Sequence, residues 1–283
     1  MFSILIPTWN NLAYLKLCVR SLREHSGEAH QIIVHINDGA DGSRAWVQDE
    51  VRAGRLDATY SDGNVGICLA VNEAAMHARH EYIVYLNDDM YCCPGWDVAL
   101  QRRIATLGTD LFMVSGTMVE PRDSGNPCVV VSDCGDSVES FREAALLDQL
   151  VALKRADWAG ATWPPTLVHR DWWFKLGGYS TELSPGMSSD NDFSMKLWHA
   201  GCRHFIGAGD ALIYHFQCKS TGKVVKNDGR RQFLDKWGMT QSTFDRFYLR
   251  RGQPLADARL PEPEDSKALR RALWRSRMRK RFG

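Results

Sequence analysis

Hydrophobic and polar positions alternate along the first part of the chain in a way that predicts strands and helices in turn. Short apolar runs indicate buried strands, and apolar residues that recur every three or four positions indicate helices. The predicted strands are 2–6, 31–36, 57–60 and 81–86, and the predicted helices are 11–24, 43–51 and 67–79. Pro7 is expected to end the first strand. This order predicts an α/β fold with a mostly parallel central sheet flanked by helices on both faces.

The second half of the chain has a less regular pattern. Helices are predicted at 140–154, 170–176 and 190–200, and two short strands at 202–206 and 211–214. Residues 254–265 are rich in proline and acidic side chains, which is typical of a linker. A basic helix is predicted at 267–281.

Composition places the chain among soluble globular proteins. Of its 283 residues, 44% are hydrophobic and 24% are charged, as in ordinary globular domains. No apolar run approaches the roughly 20 residues of a transmembrane helix, and the first residues lack the pattern of a signal peptide. The eight cysteines include no CxxC pair, which argues against a zinc site. We therefore expect a cytoplasmic protein with reduced thiols.

Charge is distributed unevenly along the chain. The net charge is +1, but residues 267–283 contain eight Lys or Arg and no acidic residue, so the remainder carries about −7. Two apolar rows run along this tail on different sides: Leu269, Ala272 and Leu273, and Trp274, Met278 and Phe282. Three interpretations stay open: peripheral contact with an anionic membrane at its inner face, contact with nucleic acid, and a merely solvated or oligomer-forming helix.

Polar residues follow three of the predicted strands, at 7–10, 37–39 and 87–89. In parallel sheets, ligands bind beyond the carboxyl ends of the strands. The adjacent carboxylates Asp88 and Asp89 repel each other, and a hard divalent cation would compensate for their burial. The alternative is a solvated turn that caps a helix.

Two further positions are candidates for chemistry. Asp190 and Asp192 open a predicted helix, where they either cap its positive end or provide a general base. His215 follows a short strand and is either a structural residue or a metal ligand, in a set that suits Mn²⁺ as well as Mg²⁺.

These segments, in this order, resemble the family-2 glycosyltransferases with the GT-A fold. The likeness covers roughly residues 2–222 and is carried by these segments: ILIPTWN at 4–10, HINDG at 35–39, DGNVG at 62–66 with Asn72, YLNDD at 85–89, LGGYSTE at 176–182 and SDND at 189–192. Two positions depart from the family pattern. Asn87 stands at the first position of the DxD element, and Ser189 precedes Asp190 where the family has Glu-Asp.

The resemblance implies a metal-dependent, inverting enzyme that moves a sugar from a nucleoside-diphosphate sugar to the hydroxyl of a carbohydrate or lipid-linked acceptor, in surface polysaccharide or glycolipid assembly. It implies a GT-A domain at 1–222, with a nucleotide-binding half at about 1–90 and an acceptor-side half at about 91–222. Residues 223–283 would form a helical C-terminal extension with the basic tail.

The implied site residues fall into four groups. The nucleotide-sugar contacts are Pro7, Thr8, Asn10, Asp38, Asn64, Gly66, Asn72, Asn87 and Asp88. The ligands of Mn²⁺ or Mg²⁺ are Asp89 and His215. The general base is Asp190, with Asp192 as the alternative. On the acceptor side, the likeness points to Gly178 and Glu182, and Trp158 and Trp163 fall in the segment expected to shape the pocket.

Other functions compete with this interpretation. A nucleotidyltransferase would need a Gly-rich phosphate loop near the N-terminus, and 7–10 is not one. A catalytically silent nucleotide- or sugar-binding protein is the alternative from another class, and Asn87 and Ser189 are compatible with it. A DNA-modifying glycosyltransferase is suggested by the basic tail alone.

Overall fold

The computed structural model describes residues 1–217 and 225–282, which fold as one mixed sheet covered by helices. The strands are β1 Phe2–Trp9, β2 Gln31–Asn37, β3 Asp57–Ser61, β4 Tyr82–Tyr85, β5 Met90–Cys92, β6 Met113–Glu120, β7 Val130–Val131, β8 Trp158–Ala159, β9 Thr166–His169 and β10 Phe205–His215. The helices are α1 Leu12–His25, α2 Ser43–Arg52, α3 Gly66–Ala75, α4 Trp96–Ile104, α5 Glu143–Asp148, α6 Leu150–Leu153, α7 Arg170–Lys175, α8 Ser189–His199, α9 Gly229–Trp237, α10 Gln241–Thr243 and α11 Lys267–Phe282.

The sheet order is β3-β2-β1-β4-β9-β6-β10-β5, with β7 beside β6 and β8 beside β10. The strands β3, β2, β1 and β4 are parallel, as are β6 and β10, whereas β9 and β5 run antiparallel to their neighbours. Alternate residues of β1 enter separate cores: Ile4 and Ile6 pack with Leu15 of α1, and Leu5 packs with Val71 of α3. The predicted α/β sheet with helices on both faces is confirmed.

The first strand continues through Pro7 to Trp9, so the prediction that Pro7 ends it is wrong. The Leu86 amide donates to the Leu5 carbonyl, and the pairing of β1 with β4 ends there. Backbone amides of alternate residues point to the same side of a strand, so the nitrogen of Pro7 points to the side on which β4 has already ended. Strand β4 offers no acceptor at this position, so the missing N–H of Pro7 breaks no hydrogen bond between β1 and β4.

The two strands predicted at 202–206 and 211–214 are one continuous strand, β10, with a register shift between Ala208 and Leu212. Gly207, within this strand, serves close packing. A Cβ atom on Gly207 would lie 1.9 Å from the Trp158 ring. The helix predicted at 140–154 is interrupted at Gln149, whose side chain accepts a hydrogen bond from Ser132, and forms α5 and α6.

The C-terminal segment packs closely against the rest of the chain. Phe233 and Phe244 lie in the same hydrophobic cluster as Phe193 and Trp198 of α8. The segment predicted as a linker has no helix or strand, but Leu260 within it is buried and its amide donates to the Arg203 carbonyl. The predicted boundary at residue 222 lies outside the described residues. Across residues 1–217 and 225–282, none of the helices has both the length and the hydrophobicity needed to cross a bilayer.

Candidate active site

The site is assembled where the parallel strands end. Trp9 pairs with Asn37 and Asn37 pairs with Ser61, so the carboxyl ends of β1, β2 and β3 lie side by side. The Thr8 hydroxyl donates to Asp88 Oδ2 at 2.6 Å, which joins the end of β1 to the turn after β4. The strand ends predicted to share one edge of the sheet do so.

The loops after β1 and β2 are also joined. Asn10 Nδ2 donates to Asp38 Oδ2 at 3.0 Å, and both residues have a positive φ, of 48° and 66°. Asparagine and aspartate tolerate this left-handed conformation better than most residues. Asn64 turns the next loop by accepting a hydrogen bond from the Gly66 amide. Three of the predicted nucleotide contacts, Asn10, Asp38 and Asn64, therefore lie on loops at one sheet edge.

Asp88 and Asp89 are both buried, with exposed fractions of 5% and 3%. Burial and the neighbouring charge of Asp89 raise the pKa of Asp88, and the hydrogen bond from Thr8 opposes that rise. Asn87 adds no charge, and its Oδ1 accepts a hydrogen bond from the Tyr85 hydroxyl at 2.8 Å. Negative charge is thus concentrated at the end of β4, which favours a cation there.

His215 lies beside this acidic turn. His215 pairs with Met90 where β10 lies antiparallel to β5, and its Nε2 is 3.6 Å from Asp89 Oδ1. Its Nδ1 is 2.9 Å from Glu120 Oε1. A carboxylate at Nδ1 fixes the ring orientation and leaves Nε2 to act on the Asp89 side, as in the carboxylate–histidine arrangement of metal sites.

Glu120 is a site residue that the sequence analysis missed. It ends β6, next to the end of the parallel strand β10, and only 4% of it is exposed. Burial pushes the pKa of Glu120 up, but hydrogen bonds from His215, Ser124 and Gln217 hold it below its usual value. The signal in the sequence was a charged residue directly after an apolar run, at the same kind of position as Asp88.

The donor set of Asp89 and His215, with Glu120 behind the imidazole, fits a divalent cation such as Mn²⁺ or Mg²⁺. Carboxylate oxygens suit both ions, and an imidazole nitrogen favours Mn²⁺. The predicted metal ligands are therefore brought together, although they stand about 125 residues apart in the chain.

Asp190 is held by a tyrosine. The Tyr179 hydroxyl donates to Asp190 Oδ1 in a short hydrogen bond. Burial raises the pKa of Asp190 to about 6, although the hydrogen bond from Tyr179 acts in the opposite direction. A carboxylate with such a pKa is ionised near neutral pH and is still basic enough to accept a proton.

The two acidic centres meet through a pair of tyrosines. The Tyr85 and Tyr179 rings are 5.6 Å apart and nearly perpendicular. Tyr85 donates to Asn87, and Tyr179 donates to Asp190. The charges of Asp190, Asp89 and Asp88 all act on the buried Tyr85 hydroxyl and add to the rise in its pKa that burial causes. The carboxylates predicted for the metal and for the base thus lie at the same edge of the sheet.

Asn72 fixes the loop that carries Tyr179. Its Nδ2 donates to the Tyr179 carbonyl at 2.8 Å, and its Oδ1 accepts from the Tyr179 amide at 2.9 Å. A Cβ atom on Gly178 would lie 2.2 Å from Asn72 Oδ1, so this approach requires glycine. Asn72 and Gly178 thus position the backbone of Tyr179, and the ligand contacts predicted for them stay predictions.

Gly66 also joins the two halves of the chain. A Cβ atom there would lie 2.6 Å from Pro185 Cα, and the Ile67 amide donates to the Pro185 carbonyl at 2.8 Å. The loop expected to approach the nucleotide is therefore packed against the segment between Glu182 and α8. Gly66 thus lies where α3 contacts the segment before α8, and its predicted nucleotide contact stays a prediction.

Asp192, the alternative base, is fully buried and its carboxylate is occupied by several donors. Trp237 Nε1 and Lys236 Nζ approach Oδ1 at 2.8 and 2.9 Å, and the Ser180 hydroxyl donates to Oδ2. A carboxylate held in this way anchors α9 to α8. Asp190 is therefore the better candidate for proton transfer.

The acceptor-side residues separate into surface and core. Glu182 is exposed and its Oε1 accepts from Lys236 Nζ at 2.7 Å. Trp158 is 3% exposed, donates to Thr117 and covers Gly207, so its predicted place in the acceptor pocket is not supported. Trp163 is partly buried beneath the guanidinium of Arg251, 4.3 Å from its ring centre.

The described residues contain another cluster of side chains of the kinds that bind metal ions. Ligand atoms of Glu24, His25 and Glu143 all lie within 4.8 Å of one another. The Tyr91 hydroxyl bridges His25 and Glu143 at 2.6 Å on each side, and the Arg20 guanidinium pairs with Glu143. Arg20 also pairs with Glu24, so a cation of the chain itself already offsets part of the negative charge of this group.

Comparisons with solved structures show the GT-A type of fold. TarS 1-349 of S. aureus in complex with UDP-GlcNAc is 14% identical, with a TM-score of 0.57 over 83% of this chain and 64% of that one. GalNAc-T7 with UDP, GalNAc and Mn²⁺ is also 14% identical, with a TM-score of 0.57 over 81% of this chain and 44% of that one. The chain thus spans less than two thirds of the length of the structures it matches.

Residues 3–126 match the family model for glycosyl transferase family 2. This segment contains β1 to β6, the strand-end loops and the acidic turn at 87–89. The match covers 124 of the 283 residues, so the N-terminal part of the chain is similar to glycosyl transferase family 2. A comparison with curated proteins finds no match.

The pKa of Asp190 predicts a specific pH dependence of stability. Its native value of about 6 exceeds the ordinary 3.8, so the folded chain holds this proton more tightly than the unfolded chain. Between about pH 4 and 6 the native state binds more protons, and this carboxyl therefore lowers the free energy of unfolding as pH rises. Asp190→Asn removes this pH-dependent loss of stability. The free energy of unfolding of the variant, relative to that of the parent, should therefore rise by on the order of 2–3 kcal/mol from about pH 4 to pH 8, measured by urea unfolding.

Asp49→Asn serves as the control, because Asp49 is an exposed helical carboxylate with an arginine partner. The difference in the free energy of unfolding between this variant and the parent should change by less than about 0.5 kcal/mol over the same pH range. An Asp190→Asn difference that stayed constant with pH would show that Asp190 has an ordinary pKa.

Proposed function

We propose that this chain is a divalent-metal-dependent, inverting glycosyltransferase that moves a sugar from a nucleoside-diphosphate sugar to an acceptor hydroxyl. The observation that carries the proposal is the meeting of two acidic centres at one sheet edge, joined through Tyr85 and Tyr179. One centre has the donor set of a metal site, and the other has a partly buried carboxylate suited to proton transfer.

The donor would lie across the strand ends. Thr8, Asn10, Asp38, Asn64, Asn87 and Asp88 are the residues assigned to it. TarS was solved with UDP-GlcNAc and GalNAc-T7 with UDP, so a uridine-diphosphate sugar is the first donor to test. Asp89 and His215 would hold the cation near the diphosphate, and Glu120 would keep the imidazole oriented. A bound divalent cation neutralises the negative charge that develops on a departing nucleoside diphosphate.

Asp190 would act as the general base. Tyr179 fixes Oδ1, which leaves Oδ2 as the oxygen assigned to the acceptor proton. The acceptor hydroxyl, as it loses this proton, attacks the anomeric carbon from the face opposite the diphosphate. One displacement of this kind inverts the configuration, by the same opposite-face logic as in inverting glycoside hydrolysis.

The acceptor is proposed to be a carbohydrate or a lipid-linked sugar of surface polysaccharide or glycolipid assembly. The exposed Glu182, next to the loop that carries Tyr179, supports an open acceptor side with polar contacts. Lys236 ties Glu182 and the Asp192 anchor to α9, so the acceptor side is built partly from the C-terminal segment.

Asp190→Asn should reduce turnover by about 100- to 10,000-fold, because the asparagine cannot accept the proton. The assay is release of UDP from UDP-sugars in the presence of Mn²⁺, with water as the acceptor until the natural one is known. Binding of UDP with Mn²⁺, followed as a rise in melting temperature, should stay close to that of the parent.

Asp49→Asn is again the matched control and should keep full turnover. Equal turnover in the Asp190→Asn variant and the parent would remove Asp190 from the mechanism. Stabilisation of the parent by UDP and Mn²⁺ without any UDP release from a panel of UDP-sugars would favour a silent binding protein over a transferase.

The metal assignment predicts different effects on the Mn²⁺ dependence of turnover for Asp89, a proposed ligand, and for Glu120, which supports the imidazole of His215. Asp89→Asn should abolish the response of UDP-sugar turnover to Mn²⁺. Glu120→Gln should raise the half-saturating Mn²⁺ concentration by about 10- to 100-fold, because the imidazole loses its charged support. Turnover of the Glu120→Gln variant at saturating Mn²⁺ should approach that of the parent.

Glu143→Gln provides the control, since Glu143 belongs to the other group of metal-binding side chain types. Its Mn²⁺ titration should match that of the parent. The assignment fails if the Glu143 variant shifts the titration and the Asp89 variant does not.

A further inference from the structure

The C-terminal helix α11 has two apolar sides, and only one of them is covered by the protein. Leu269 and Ser276 are buried, and Ala272 and Leu273 between them are partly buried. The Ser276 hydroxyl oxygen accepts a hydrogen bond from the Thr240 amide at 3.2 Å. The first of the two apolar rows in the tail therefore attaches α11 to the body.

The other side of α11 presents large apolar side chains to solvent. Trp274 is 60% exposed and Met278 is 38% exposed, and at i and i+4 they lie on the same helix face. Exposed Lys267, Arg271 and Arg281 continue the same stripe at spacings of three and four residues. The imperfect amphipathicity of the tail thus reflects two separate faces, one packed and one basic with an apolar centre.

Helix electrostatics accounts for part of this basic charge. Cations in the last turn, Arg279, Lys280 and Arg281, favour the negative end of the helix dipole. The dipole effect does not extend to Lys267, Arg270, Arg271 and Arg275, which lie in the first three turns. Arg270 pairs with Asp265 in the preceding segment, and α11 itself contains no acidic residue.

We propose that this face of α11, the Trp274 face, docks the protein onto an anionic lipid surface. Cations surrounding an indole and a thioether match the headgroup region of a bilayer, where the cations meet lipid phosphates and carboxylates and the apolar tips enter the interface. A nucleic acid would use the cations but would gain little from an exposed methionine at the centre of the stripe.

Charge on the rest of the molecule would orient the docked protein. Residues 1–266 carry a net charge of about −7, so an anionic membrane repels the body and attracts only the tail. The tail is also connected to the candidate site. Lys280 Nζ donates to the Asp235 carbonyl of α9, and Trp237 of α9 donates to Asp192 of α8, the helix that carries the candidate base in its first turn. Docking would thus place the acceptor side of the enzyme near the lipid surface.

The test is co-sedimentation of the full chain with vesicles of phosphatidylcholine alone or with about one third phosphatidylserine. Binding should require phosphatidylserine and should weaken as salt rises. Trp274→Ala with Met278→Ala should weaken binding by roughly tenfold or more. Arg271→Glu with Arg275→Glu should weaken it by more than about 100-fold, since each lost cation is expected to cost roughly fivefold and each added carboxylate is repelled by a similar factor.

The controls are Met76→Ala, an exposed methionine on another helix end, and Arg52→Glu, an exposed arginine on α2. Both should bind vesicles like the parent. All four variants should keep the parent's UDP-sugar hydrolysis without vesicles, so a failure of docking is distinguishable from a failure of the proposed transfer. Equal binding to neutral vesicles, no binding to either vesicle, or binding to duplex DNA in place of vesicles would each overturn the proposal.

Discussion

The cost of burying carboxylates next to one another at the ends of β4 and β6 governs the organisation of this protein. Asp88, Asp89 and Glu120 are each at least 95% buried. Each is compensated differently: Asp88 by the Thr8 hydroxyl, Glu120 by three donors and Asp89 by its place beside His215. In the proposed function, a cation between Asp89 and His215 would add to this compensation, and the neighbouring loops would bring a nucleoside diphosphate to the same place.

The fold turns this local constraint into a two-sided site. The strand order brings the ends of β1, β2 and β4 together, and the long-range pairing of β10 with β5 and β6 returns His215 to the acidic turn. Asn72 then holds the loop of Tyr179, and Tyr179 holds Asp190. The segment that carries Asp190 is thereby attached to α3 by hydrogen bonds, so the distance between Asp89 and Asp190 depends partly on side chains other than these two.

Local sequence patterns predicted the strand ends, the acidic turn and the Asp190 helix, because apolar periodicity and terminal polar residues report directly on a sheet edge. They did not predict that Asn72 holds Tyr179, because this contact spans 107 residues of chain, a relation that no local pattern encodes. Glu120 was missed for the same reason, since its role depends on His215, 95 residues later. Trp158 shows a related limit: it was placed in the segment expected to shape the acceptor pocket, but Gly207 on a distant strand provides the space that buries it.

The central claim is that a divalent cation binds between Asp89 and His215, at the sheet edge that also holds Asp190. Crystals grown with UDP and Mn²⁺, measured for anomalous scattering of manganese, test it most directly. The account predicts the strongest anomalous peak in contact with Asp89 and His215, with the diphosphate on the same cation. A peak at Glu24, His25 and Glu143, with none beside Asp89, would contradict it.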